Sequence, residues 1–111
     1  NIAPYAPHVS GANPPMPATR HLESYGNVSV PRFANWNPPD DIQEQKSLWI
    51  KDLPPLNATQ EAYADYLYQR RLQSLLGVDE IIEDVIDMLE ARGQLDNTYG
   101  TLDTTLSVNT E

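Results

Sequence analysis

The sequence predicts a chain built around one long helix, with an irregular proline-rich first half and no compact core of its own. Three observations carry this. Apolar and half-apolar residues recur at Tyr63, Tyr66, Leu67, Leu72, Leu75, Val78, Ile82, Val85, Ile86 and Leu89. From Leu75 onward, steps of three and four trace one helix face. The 10 prolines of the 111 residues all fall before Leu56. That half has almost no periodicity over about fifty residues, whereas structureless loops beyond about 12–15 residues are uncommon in compact domains.

Taken in order, Ile2–Tyr5 reads as a short extended segment, and residues 8–56 as an irregular loop region. The long helix is expected over 58–92. Asn57 or Thr59 can act as N-cap, and Asn57 has Gln60 three positions on, in capping-box spacing. Arg92 falls in the last turn, where a cation suits the helix dipole, and Gly93 is suited to the C-cap. A bend is expected near Gly77, because glycine costs about 1 kcal/mol in a helix interior relative to alanine. Residues 93–99 read as a turn into a following strand, and 100–111 as a frayed tail. A helix this long, against an average of about 11–12 residues, needs a large covering body or serves as a free-standing interaction helix.

Composition narrows the function. The formal net charge of −9 argues against nucleic-acid partners, which need clustered Lys and Arg on the phosphates. Much of that charge lies at Asp79, Glu80, Glu83, Asp84, Asp87 and Glu90, and its simplest reading is a solvated helix face. The pairs Asp79–Glu83, Glu80–Asp84 and Glu83–Asp87 stand four apart with like charge and oppose the helix mildly. No apolar run reaches the length of about 18 residues that a membrane span needs. Without cysteine there is neither a disulfide nor a thiolate metal site. Two glycosylation sequons occur, Asn27-Val28-Ser29 and Asn57-Ala58-Thr59, both in polar segments. They lean towards a secretory route.

Four motifs, in order, cover about nine-tenths of the chain. Ile2-Ala3-Pro4-Tyr5-Ala6-Pro7-His8 ends in a Pro-His pair. Pro15-Met16-Pro17-Ala18-Thr19-Arg20-His21 follows, then Val30-Pro31-Arg32-Phe33-Ala34-Asn35-Trp36-Asn37-Pro38. The last is Tyr68-Gln69-Arg70-Arg71-Leu72-Gln73-Ser74-Leu75-Leu76-Gly77-Val78-Asp79-Glu80, continuing through Leu95-Asp96-Asn97-Thr98-Tyr99. Together they resemble the sulfatase family, most closely its N-acetylglucosamine-6-sulfatase and fungal arylsulfatase branch. The "VPRxxNxNP" and "YRRRL" segments fit this branch better than a related phosphate or phosphonate monoesterase.

The resemblance implies that the chain is an internal fragment of an α/β alkaline-phosphatase-like domain. Residues 1–99 would be the partial catalytic domain and 1–7 the end of a strand. The resemblance also implies hydrolysis of sulfate monoesters, of aryl or N-acetylglucosamine-6-sulfate type, by a formylglycine nucleophile assisted by calcium. A sulfate ester is an anion, so a nucleophile approaches it only where a metal and cationic side chains offset the charge. Little of that machinery is written in these residues. Formylglycine arises from a Cys/Ser-x-Pro/Ala-x-Arg motif, and Ser29-Val30-Pro31-Arg32 brings its Arg one position too early. The family's paired aspartates are absent, and no metal ligand is expected here.

One active-site residue is implied by motif. His8 aligns with the family histidine that contacts the sulfate or leaving-group oxygen, although Ser10 stands where a proline is common. His21 is a weaker substrate-binding candidate, and with Arg20 it fits a structural role better. Arg70 and Arg71 are expected to pair with carboxylates, and Trp36 and Trp49 to serve packing. After Tyr99 the resemblance stops abruptly, and the tail 100–111 reads as a frame shift or missed splice. The partners implied are a sulfate ester and the remainder of the domain, with a secreted or lysosome-like location. Two functions follow: an incomplete sulfatase, inactive alone, or a non-enzymatic helical interaction module docking through its apolar face.

Overall fold

The computed structural model describes residues 1–102. Its elements are a 3-10 turn at Thr19–His21, short helices α1 (Asp40–Gln43) and α2 (Leu48–Lys51), the long helix α3 (Ala58–Ala91), and a 3-10 turn at Leu95–Asn97. The chain forms two units, Asn1–Asp79 and Glu80–Glu111. Of the tail expected to fray over 100–111, residues 103–111 lie outside the described residues.

The predicted helix is present, one residue shorter than expected at its end. Asn57 is the N-cap: its Oδ1 accepts from the Gln60 N–H at 3.0 Å, and Gln60 Oε1 accepts from the Asn57 N–H at 2.9 Å. This reciprocal box satisfies two backbone donors that an open helix start leaves orphaned. At the far end Gly93 takes φ +62. The Gly93 N–H then reaches Glu90 O and the Gln94 N–H reaches Leu89 O, both at 2.9 Å. These two bonds define a Schellman stop, which the left-handed conformation of glycine permits. Helix α3 runs unbroken through Gly77.

Two expectations are corrected. The strand end at residues 1–7 is not formed, and the described residues contain no strand, only an isolated bridge between Ser10 and Asn13. Strand conformation needs a neighbour for its backbone hydrogen bonds, and Ile2–Tyr5 has none here. Instead Tyr5–His8 closes a turn, with a cis Ala6–Pro7 bond and the His8 N–H on Tyr5 O at 3.0 Å. The second correction concerns 8–56, which is not wholly irregular, since α1 and α2 lie within it. Gln43, at the end of α1, donates its amide to Ile50 O at 2.8 Å and so ties α1 to the end of α2.

No hydrophobic residue is fully shielded among the described ones, except that Pro15 has its side chain buried. The predicted apolar stripe is half-buried at best, with Tyr63, Tyr66, Leu75, Ile82 and Ile86 exposed. What α3 buries is polar: Gln73 is 4% exposed and Ser74 5%. The reason is a strap laid along it.

Candidate functional site

Residues 22–37 form this strap, held by α3 side chains four apart: Glu61, Asp65, Gln69 and Gln73. Gln73 Nε2 donates to Leu22 O at 2.9 Å and Ser24 O at 2.7 Å. Gln69 Nε2 donates to Val28 O at 2.8 Å. Asp65 Oδ1 accepts from the Val30 N–H at 2.9 Å, and both its oxygens accept from Arg32 Nη2 at 2.9 Å. Glu61 Oε1 accepts from Trp36 Nε1 at 2.9 Å and from Asn37 Nδ2 at 2.8 Å. The strap therefore runs antiparallel to the helix.

Amides meet carbonyls, and carboxylates meet N–H groups. That match is forced by donor and acceptor chemistry, since an ionised carboxylate can only accept and a primary amide can donate twice. Spacing also matters. Four helix residues rise about 6 Å, whereas four extended residues span about 13 Å. The strap sheds the excess length in turns, with Ser24 N on His21 O at 3.0 Å, Val28 N on Tyr25 O at 3.1 Å and Trp36 N on Phe33 O at 2.9 Å. Tyr25 and Asn37 adopt positive φ, 58 and 42.

Arg32 also stacks over Trp36, 4.0 Å from the ring centroid. Asn37 closes the arrangement. Its Oδ1 accepts from the Leu56 N–H at 2.7 Å and its Nδ2 donates to Leu56 O at 3.0 Å, just before the α3 cap.

The predicted site residues lie at the margins of this framework. His8 is exposed; its Nδ1 is 2.7 Å from Val9 O, and its ring sits 5.0 Å from that of Tyr5. His21 is half-buried at the end of the 3-10 turn that directly precedes the Gln73 contacts. Arg70 lies over Tyr66 at 5.1 Å and donates to Gln73 Oε1 at 3.2 Å, where pairing with a carboxylate was expected. Trp36 packs against a cation as well as bonding to Glu61, while Trp49 is 70% exposed. Asn27 and Asn57 are both exposed. Among the described residues, no three His, Cys, Asp or Glu side chains converge in a way that could hold a metal ion.

Comparison with known proteins shows the family. The chain is 40% identical to a sulfatase of Metarhizium majus, 35% to an arylsulfatase of Volvox carteri and 31% to the human N-acetylglucosamine-6-sulfatase, each over 88% of its length. The chain belongs to the sulfatase family. It spans only 23%, 17% and 17% of those relatives' own lengths, as a fragment of a sulfatase would. No family model and no solved structure matches it.

The sulfatase motifs now acquire a physical reading. In Val30-Pro31-Arg32 the valine N–H and the arginine Nη2 grip Asp65, while Trp36 and Asn37 grip Glu61. The segment that came nearest to a nucleophile motif is a docking element. The sequence reading missed Glu61, Asp65, Gln69 and Gln73 because it followed apolar residues. Their four-residue polar spacing on one helix face is visible in the sequence, but it does not distinguish them from a solvated face.

Proposed function

We propose that this sulfatase segment is a structural part of a sulfuric ester hydrolase, one that requires the remainder of its domain to act. The supporting observation is the set of large apolar side chains left open on it, including Met16, Phe33, Leu48, Trp49 and Tyr63. Monomeric proteins rarely leave extensive contiguous apolar surface uncovered. In a protein of the relatives' length the missing body covers that surface. The parent acts on sulfate monoesters of aryl or N-acetylglucosamine-6-sulfate type, the substrates named for its relatives.

The formylglycine nucleophile and the calcium belong to residues outside this segment. His8 is the contribution of the segment to chemistry. Its Nδ1 lies on the Val9 carbonyl, which favours a proton there and orients the ring. Nε2 is then the ring nitrogen open to a sulfate or leaving-group oxygen, and it donates there only when the ring carries both protons. The secretory route is part of this reading, supported by the sequons and by a Caenorhabditis elegans relative, 34% identical, named as a putative extracellular sulfatase. No described helix is long and apolar enough to cross a membrane.

The test is turnover of 4-nitrophenyl sulfate. The isolated chain is expected to show none, and the protein carrying the rest of the domain to show activity that falls at least tenfold on His8→Ala. Turnover by the isolated chain would overturn the division of labour. Unchanged activity in the His8 variant would remove its role. Concentration-dependent self-association of the isolated chain with rising helicity would instead favour the interaction-module reading.

A further inference from the structure

Asn57 carries two functions in one side chain, and the structure keeps them on different atoms. Its Oδ1 is committed to the Gln60 N–H as the α3 cap. Its Nδ2 donates to no protein group among the described residues. Every residue from 51 to 60 is exposed, and Asn57-Ala58-Thr59 is an acceptor sequon.

We propose that Asn57 bears an N-linked glycan attached at Nδ2 while its Oδ1 goes on capping α3. The inference rests on the secretory route proposed above. In the transfer one Nδ2–H is replaced by a bond from Nδ2 to C1 of the sugar. The C1–O bond to a lipid diphosphate donor breaks, and the diphosphate leaves with the displaced proton. The amide carbonyl is untouched, so the hydrogen bond that starts the helix survives.

The full 111-residue chain, given a cleavable secretory leader in a eukaryotic host, tests this. Asn27→Gln isolates the second sequon. That variant is expected to run one glycan step above its amidase-treated form, and adding Thr59→Ala is expected to abolish the step. Thr59→Ser should restore it. Amidase release leaves an aspartate at position 57, which can still accept from Gln60, so helix content should match before and after treatment.

Absence of the step, or its persistence in Thr59→Ala, would overturn the attachment. A clear gain of helix on release would overturn the shared cap. If the step forms but the protein in its own cells stays in the cytosol, the secretory reading fails and with it the glycan on the native protein, although Asn57 is then shown to be a competent acceptor.

Discussion

Gln73 is nearly sealed from solvent, and its amide satisfies two strap carbonyls at once. Leaving buried acceptors unmet costs about 1–3 kcal/mol. Gln73→Met, similar in shape but without donors, is therefore expected to destabilise the Asn1–Asp79 unit by about that much. Urea titration followed by circular dichroism measures it, and amide exchange at residues 21–24 should rise in parallel. Gln73→Glu should not rescue, because a carboxylate facing two carbonyl oxygens only accepts. The Arg32–Asp65 pair belongs to a milder class. The two side chains are 35% and 26% exposed, where ion pairs contribute about 0.2–1 kcal/mol. A double-mutant cycle with Arg32→Gln and Asp65→Asn should return a coupling within that range. Asp65→Asn keeps an oxygen for the Val30 N–H, so it should be milder than Asp65→Ala.

At the scale of the element, α3 is stabilised differently along its length. Its N-terminal part has the Asn57–Gln60 box and the four strap contacts at Glu61, Asp65, Gln69 and Gln73. From Asp79 on, the acidic side chains Asp79, Glu83, Asp84, Asp87 and Glu90 are exposed. Like charges four apart oppose a helix by about 0.2–0.5 kcal/mol per pair. Amide exchange should therefore be slower over residues 62–76 than over 80–91. Raising salt from about 0.01 to 0.15 M shortens the screening length from about 30 to 8 Å. That change should slow exchange in 80–91 and leave 62–76 nearly unaffected. Equal response in both stretches would show that repulsion is not what loosens the second.

At the scale of the whole molecule, side-chain burial is inverted relative to an independent domain. Polar Gln73 and Ser74 are shielded, while Trp49, Phe33 and Leu48 are open. The apolar burial that normally offsets an ordering cost of about 1–2 kcal/mol per residue is small here. The isolated chain should accordingly bind a hydrophobic dye such as ANS strongly and melt without a sharp transition. In a protein of the relatives' length, dye binding should fall several-fold. A cooperative melt with little dye binding in the isolated chain would show that the segment stands by itself.

The sequence by itself determined the helix and both of its ends, because a capping box, an apolar period and a terminal glycine are local and act within a few residues. It also carried the family, since four ordered motifs survive without any knowledge of contacts. Its reading of residues 1–7 as the end of a strand finds no strand among the described residues, because strand structure depends on a neighbour that local residues do not specify. The strap and the residues that hold it were decided only by tertiary structure. Glu61, Asp65, Gln69 and Gln73 look like an ordinary solvated face until a second segment, 24 to 51 positions away, brings its unpaired carbonyls and N–H groups against them. Hydrogen-bonding groups of an irregular segment must be satisfied somewhere, and nothing in their own sequence says where.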